Sequence, residues 1–132
     1  MTTTVFLVRH AAHDRLGRVL CGRMAGVTLG DEGLAEAERV AGRLAGEGLA
    51  AVYASPLERA VATAQPIARA AGVQLRIDEG LNEIDFGDWN GAAFADLEGD
   101  ERWAAWNRER RTARPPNGES MGEAKARVVG WA

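Results

Sequence analysis

Arg9-His10 follows directly on the run Val5-Phe6-Leu7-Val8. Two ionisable side chains at the end of an apolar, β-branched run are costly unless something uses them. A neutral imidazole in such a place is a nucleophile towards phosphorus, provided a partner holds one ring nitrogen and leaves the other free. The adjacent guanidinium would neutralise the phosphoryl group under attack. A histidine after a strand is otherwise a hydrogen-bonded structural residue. The neighbouring arginine, the glycine-rich stretch that follows and the strand-end position favour chemistry.

Two further places offer matching side chains. Arg59 falls in the first turn of a helix that should follow the second strand, where unpaired helix amides already favour an anion. It reads equally well as a solvated arginine on a helix surface. Glu83 lies shortly after the third strand, beside Ile84 and Phe86. A carboxyl among apolar groups shifts towards the range useful for proton transfer. Asp85 and Asp88 compete for that role on residue type alone. A histidine, two arginines and an acid at three strand ends describe phosphoryl transfer by a nucleophile, with no metal.

These side chains need a sheet that brings its strand ends to one rim. Val5–Val8 has the pattern of a strand buried on both faces. Residues 11–30 read as a long loop punctuated by Gly17, Gly22, Gly26 and Gly30. From Asp31, Leu34, Ala37, Val40, Ala41, Leu44 and Ala45 recur at helical steps, with Gly30 as N-cap. Residues 50–54 form a second strand, and Ser55-Pro56-Leu57-Glu58 has the pattern of a capping box opening a helix to about Ala71, with Pro66 a kink. Residues 74–77 form a third strand. Strand-helix-strand-helix-strand implies an α/β fold with a mainly parallel sheet and helices on both faces. Beyond Asp78, residues 81–91 suit a loop, residues 93–111 look helical, and Ser120 with Glu123 forms a capping box opening a last helix.

The composition is that of a globular protein: 46% apolar and 27% charged residues in 132 leave one domain over 1–132 with a real core. A net charge of -3 gives no reason to expect nucleic acid or a membrane surface as partner. Lys125 is the only lysine, so the positive charge is nearly all arginine, the side chain that grips phosphate bidentately. A single cysteine, Cys21, excludes an internal disulfide. No apolar run reaches the length of a membrane span and no secretory signal is visible, so the cytoplasm is the default expectation.

VRH at 8–10, YASPLERAVATA at 53–64, LNEIDFGDWNG at 81–91 and PPNGES at 115–120 occur in one order along the chain. Together they resemble the histidine phosphatase superfamily, the phosphoglycerate mutase-like fold, over essentially the whole chain. The resemblance implies a three-layer sandwich. It implies that His10 becomes phosphorylated, that Arg9 and Arg59 bind the phosphoryl group, and that Glu83 protonates the leaving oxygen and later activates water. It settles the choice among the three acids on Glu83. It also sets Gly22-Arg23 near the substrate, with Arg23 a contact, and needs no cofactor or metal.

The departures from the family pattern are local. Ala11, Ala12, His13 and Leu16 stand where the family has glycine, an acid, a hydroxyl residue and an asparagine. His13 is expected to replace one substrate donor if protonated, or to read a different substrate. The family's second catalytic histidine follows a strand after the helix that starts near GES. The histidines here are His10 and His13, which reads as the N-terminal portion of a longer domain with its C-terminal part missing. The expected function is hydrolysis of a small phosphorylated metabolite through a phosphohistidine, with homo-oligomers allowed. The alternatives are mutase-type transfer of the phosphoryl group and a catalytically impaired phosphate-binding module.

Overall fold

The computed structural model describes residues 1–132. Its sheet is small because only two segments find ladder partners. Strand β1 (Val52–Ala54) pairs in parallel with β2 (Leu75–Ile77), in the register Val52 with Leu75, Tyr53 with Arg76 and Ala54 with Ile77. The connection between them runs through helix α2 (Glu58–Ala71), and α1 (Asp31–Leu44) packs against α2. Ala41 and Leu44 of α1 meet Ile67 of α2, with Val52 of β1 at the margin. The α/β class with a parallel pair and a crossover helix is the one the periodicity predicts.

The buried stripe of α1 is rotated from the predicted one. Gly33, Ala37, Ala41 and Leu44 face inwards, whereas Leu34 and Ala45 are exposed. Gly33 explains the rotation. A Cβ built there would lie 1.9 Å from the carbonyl oxygen of Ala12, so only glycine lets α1 come this close to the segment after His10.

Three local expectations are corrected. Val5–Val8 is not a strand buried on both faces. Residues 1–10 take part in no backbone–backbone hydrogen bond, and Val5 and Leu7 are 70% and 94% exposed. A strand needs a neighbour to accept its amides and carbonyls, and β1 pairs on one side only, with β2. The capping box at Ser55 does not form either. Helix α2 starts at Glu58 with Leu57 as N-cap, and the Glu58 carboxylate accepts the amide of Gly26 at 3.0 Å instead of reaching back to Ser55. The helix runs on through Pro66 to Gly72, whose left-handed backbone (φ 67°) donates to Ala68 and Arg69.

The predicted helix over 93–111 is two helices, α3 (Phe94–Leu97) and α4 (Glu101–Arg108). Gly99 at φ +90° ends the first, and the Asp100 carboxylate caps the second by accepting from Arg102 and Trp103. The capping box at the last helix, α5 (Met121–Trp131), is present in both directions between Ser120 and Glu123. Ile84, Phe86, Trp89, Leu97 and Trp106 form a separate apolar cluster that anchors the 81–91 loop. No helix is long and apolar enough to cross a membrane.

Candidate active site

Arg9, His10, His13, Gly22, Arg59 and Glu83 line one cleft of about 280 Å³. Residues from three separate sequence motifs therefore share a single space. Each arrives by a different local device.

His10 closes the first segment, and its Nδ1 lies 2.9 Å from the carbonyl oxygen of Ala11. A carbonyl only accepts, so the Nδ1 proton is fixed there and Nε2 keeps its lone pair. That is the tautomer a nitrogen nucleophile needs. Arg9 beside it is exposed and makes no ion pair or side-chain hydrogen bond. Its charge is uncommitted.

Arg59 is 2% exposed, on the first turn of α2. One Nη2 proton goes to the carbonyl of Gly22, while Nε and Nη1 are buried without a partner. No carboxylate pairs with it. A buried guanidinium left so costs several kcal/mol unless an anion completes it. Gly22 is shaped for this contact. Its backbone is left-handed (φ +49°), and a Cβ there would meet the Asn90 Oδ1 at 2.1 Å and the Phe86 ring at 2.8 Å.

His13 accepts the amide of Arg15 on Nδ1 at 3.2 Å, which places the proton of its neutral ring on Nε2. Its ring centre is 5.5 Å from that of His10. Burial, then the positive fields of His10 and Arg59, push its pKa below the ordinary histidine value. In its neutral form His13 therefore offers the cleft an Nε2–H donor.

Glu83 reaches the cleft from the 81–91 loop but is exposed, with its Oε1 accepting the amide of Ile84 at 3.0 Å. Ile84 and Phe86 are buried beneath it and do not enclose the carboxyl. Arg23 does not line the cleft with the others. Its Nε donates to the Glu83 carbonyl at 2.7 Å and its Nη2 to Glu119 at 3.1 Å. The guanidinium grips the loop that carries Glu83.

Thr63 is the site residue the sequence reading missed. Its hydroxyl donates to the Arg59 carbonyl at 2.8 Å and accepts the buried amide of Ala11 at 2.9 Å. It lies four residues after Arg59, on the same helix face. That spacing was the available signal.

An α/β scaffold here presents a free imidazole nitrogen, an uncommitted arginine and a buried unpaired arginine in one cleft, a set whose charge and donors suit a phosphoryl group. The comparisons agree. The family model for the histidine phosphatase superfamily (branch 1) matches residues 5–132, and the chain belongs to that family. A 2,3-bisphosphoglycerate-dependent phosphoglycerate mutase of Azorhizobium caulinodans is 34% identical over 137 residues, covering 98% of this chain and 66% of that protein. A bifunctional protein of Mycobacterium tuberculosis is also 34% identical, over 96% of this chain and 35% of its own length.

Among solved structures, the mycobacterial glucosyl-3-phosphoglycerate phosphatase superposes with a TM-score of 0.83 at 30% identity, covering 92% of this chain and 58% of that one. The alpha-ribazole phosphatase of Shigella flexneri gives 0.83 at 28%, covering 94% and 62%. The fold is thus phosphoglycerate mutase-like, and the chain spans between about a third and two thirds of the length of these relatives.

Proposed function

We propose that this chain carries the phosphate-binding and nucleophilic part of a metal-independent phosphomonoesterase that works through a phosphohistidine. The observation that carries the reading is Arg59, buried to 2% exposure with two unpaired guanidinium nitrogens in the cleft that also holds His10. A phosphoryl group supplies the acceptors and the negative charge that this side chain lacks.

In the first half-reaction the Nε2 lone pair of His10 attacks phosphorus, forming the N–P bond as the P–O bond to the leaving alcohol breaks. Arg9 and Arg59 bracket the non-bridging oxygens, and the Glu83 carboxyl gives its proton to the departing oxygen. The Ala11 carbonyl keeps the Nδ1 proton in place and supports the positive charge that develops on the ring. In the second half-reaction the Glu83 carboxylate takes a proton from water, the oxygen attacks phosphorus, and the N–P bond breaks to return neutral His10. The substrate class is a small phosphorylated metabolite, in keeping with the glucosyl-3-phosphoglycerate and alpha-ribazole phosphatases among the solved neighbours. The cytoplasm is the proposed compartment.

Acid-labile phosphate trapped on the protein during turnover, and absent in His10→Ala, is the expected result. Turnover without any phosphorylated protein overturns the mechanism. A second reading, mutase-type transfer to another hydroxyl, is favoured by the 34% identity to phosphoglycerate mutases. Transfer of the label to an added sugar-acid acceptor in place of water would select it. Phosphate binding without either turnover would select an impaired binding module.

A further inference from the structure

The segment PPNGES is the one motif that the chemistry above leaves unused, yet it is laid closely along the loop that carries Glu83. A Cβ at Gly118 would lie 2.4 Å from the Asp85 carbonyl oxygen, and one at Gly87 would lie 2.1 Å from the carbonyl oxygen of Pro116. The amide of Asp88 donates to Pro116 at 2.8 Å. Glu119 and Asp85 exchange two hydrogen bonds: the Glu119 amide donates to the Asp85 carbonyl, and the Glu119 Oε1 accepts the Asp85 amide, both at 2.9 Å.

That same Oε1 accepts from Arg127 Nη2 at 2.6 Å and from Arg23 Nη2 at 3.1 Å. Each arginine then reaches past Glu119 to the loop itself. Arg127 Nη1 donates to the carbonyls of Gly80 and Asn82 at 2.9 and 2.8 Å, and Arg23 Nε donates to the carbonyl of Glu83 at 2.7 Å. The backbone is thus gripped at residues 80, 82, 83 and 85, on both sides of one carboxylate. The three gripping side chains are 17–30% exposed, which strengthens charge-assisted bonds relative to open surface.

We propose that Glu119, Arg127 and Arg23 form a positioning clamp whose function is to hold the Glu83 carboxyl at the mouth of the cleft for proton transfer. The proposal rests on the reading of Glu83 as the proton donor. In the first half-reaction it predicts a defect of one kind: substrates whose leaving group needs a proton suffer, and phosphate binding does not.

The test compares Glu119→Gln, Arg127→Met and the milder Arg127→Lys with wild type in the full chain, using p-nitrophenyl phosphate, whose leaving group departs unaided, and a simple alkyl phosphate, whose leaving group needs the proton. Glu83→Gln is the reference. Positioned general acids contribute about 10²–10⁴-fold, so kcat/KM on the alkyl phosphate, which reports the first half-reaction alone, should fall at least about tenfold in Arg127→Met, with kcat/KM on the aryl phosphate and inhibition by inorganic phosphate nearly unchanged. Amide exchange at Ile84 and Asp85 should quicken while the amides of α2 keep wild-type protection, and Arg127→Lys should fall between.

Equal losses of kcat/KM on both substrates, or loop amides that exchange as in wild type, overturn the clamp. If Glu83→Gln lowers kcat/KM equally on the two substrates, the proton-donor reading fails instead. The exchange measurement then still decides whether the loop is held, whatever the activity.

Discussion

Thr63 and Ala11 are joined by a hydrogen bond of 2.9 Å from the Ala11 amide to the threonine hydroxyl, and this single bond ties the helix of Arg59 to the segment of His10. Thr63→Ala leaves a buried amide without a partner, which costs about 1–3 kcal/mol. The expected result is a lower urea midpoint together with weaker phosphate binding, while Thr63→Ser keeps both near wild type. Unchanged stability in Thr63→Ala would show that another acceptor takes the amide.

Arg59 should behave unlike an ordinary buried side chain. Removing an unpaired buried charge relieves desolvation, so Arg59→Met is expected to leave the ligand-free protein no less stable than wild type. Inorganic phosphate should raise the wild-type melting temperature by mass action and leave that of Arg59→Met unmoved. A phosphate-dependent shift of equal size in both proteins would take Arg59 out of the anion site.

Gly22 is both sterically closed and committed to Arg59 through its carbonyl. Gly22→Ala forces a side chain into a left-handed backbone and against Asn90 and Phe86, and overpacking of this kind costs about 1–3 kcal/mol. Thermal unfolding should register the loss, and phosphate titration should show weaker binding because the Arg59 acceptor shifts with the backbone.

Acid should weaken the fold in two separate stages. The folded pKa of His13 is held below its ordinary 6.5 by burial, His10 and Arg59, with Arg9 adding and Asp14 opposing. The unfolded chain therefore takes up the proton first, and stability drops as the pH falls from about 6.5 towards the folded value. His13→Gln should flatten that stage in urea midpoints measured against pH.

The second stage starts near the ordinary carboxylate values. Asp85 is held low by the Gly87 amide. Glu119, though pushed up by burial, is held low by Arg127 and the Asp85 amide. Their contribution is present above those values and is lost as the pH falls through the folded ones. Glu119→Gln should remove part of it without changing the His13 stage.

The sequence made the cleft legible where one residue type at one spacing has few uses. His10 after an apolar run and Arg59 after a strand both reach the same space, and Ser120 with Glu123 caps the last helix as their spacing requires. It is blind where an interaction depends on a distant partner. Arg23 lies next to Gly22, and its Nε and Nη2 donate to the Glu83 carbonyl and to Glu119, a residue 96 positions further on. Ser55 has a capping-box spacing, yet Glu58 is drawn off by the Gly26 amide. Local pattern states what a side chain can do, and packing decides which of its options is open.

The run Val5–Val8 extends that point from side chains to backbone. Val5, Phe6 and Val8 are strand-favouring residues, and the run stands exposed with no ladder hydrogen bond on either side. Such an edge is a template for adding a strand from another molecule, and neither lysine nor proline guards it. At high protein concentration it is the segment through which this chain should self-associate. Leu7→Lys, which sets a charge on the most exposed residue of the run, should keep the chain monomeric in sedimentation while leaving the cleft untouched.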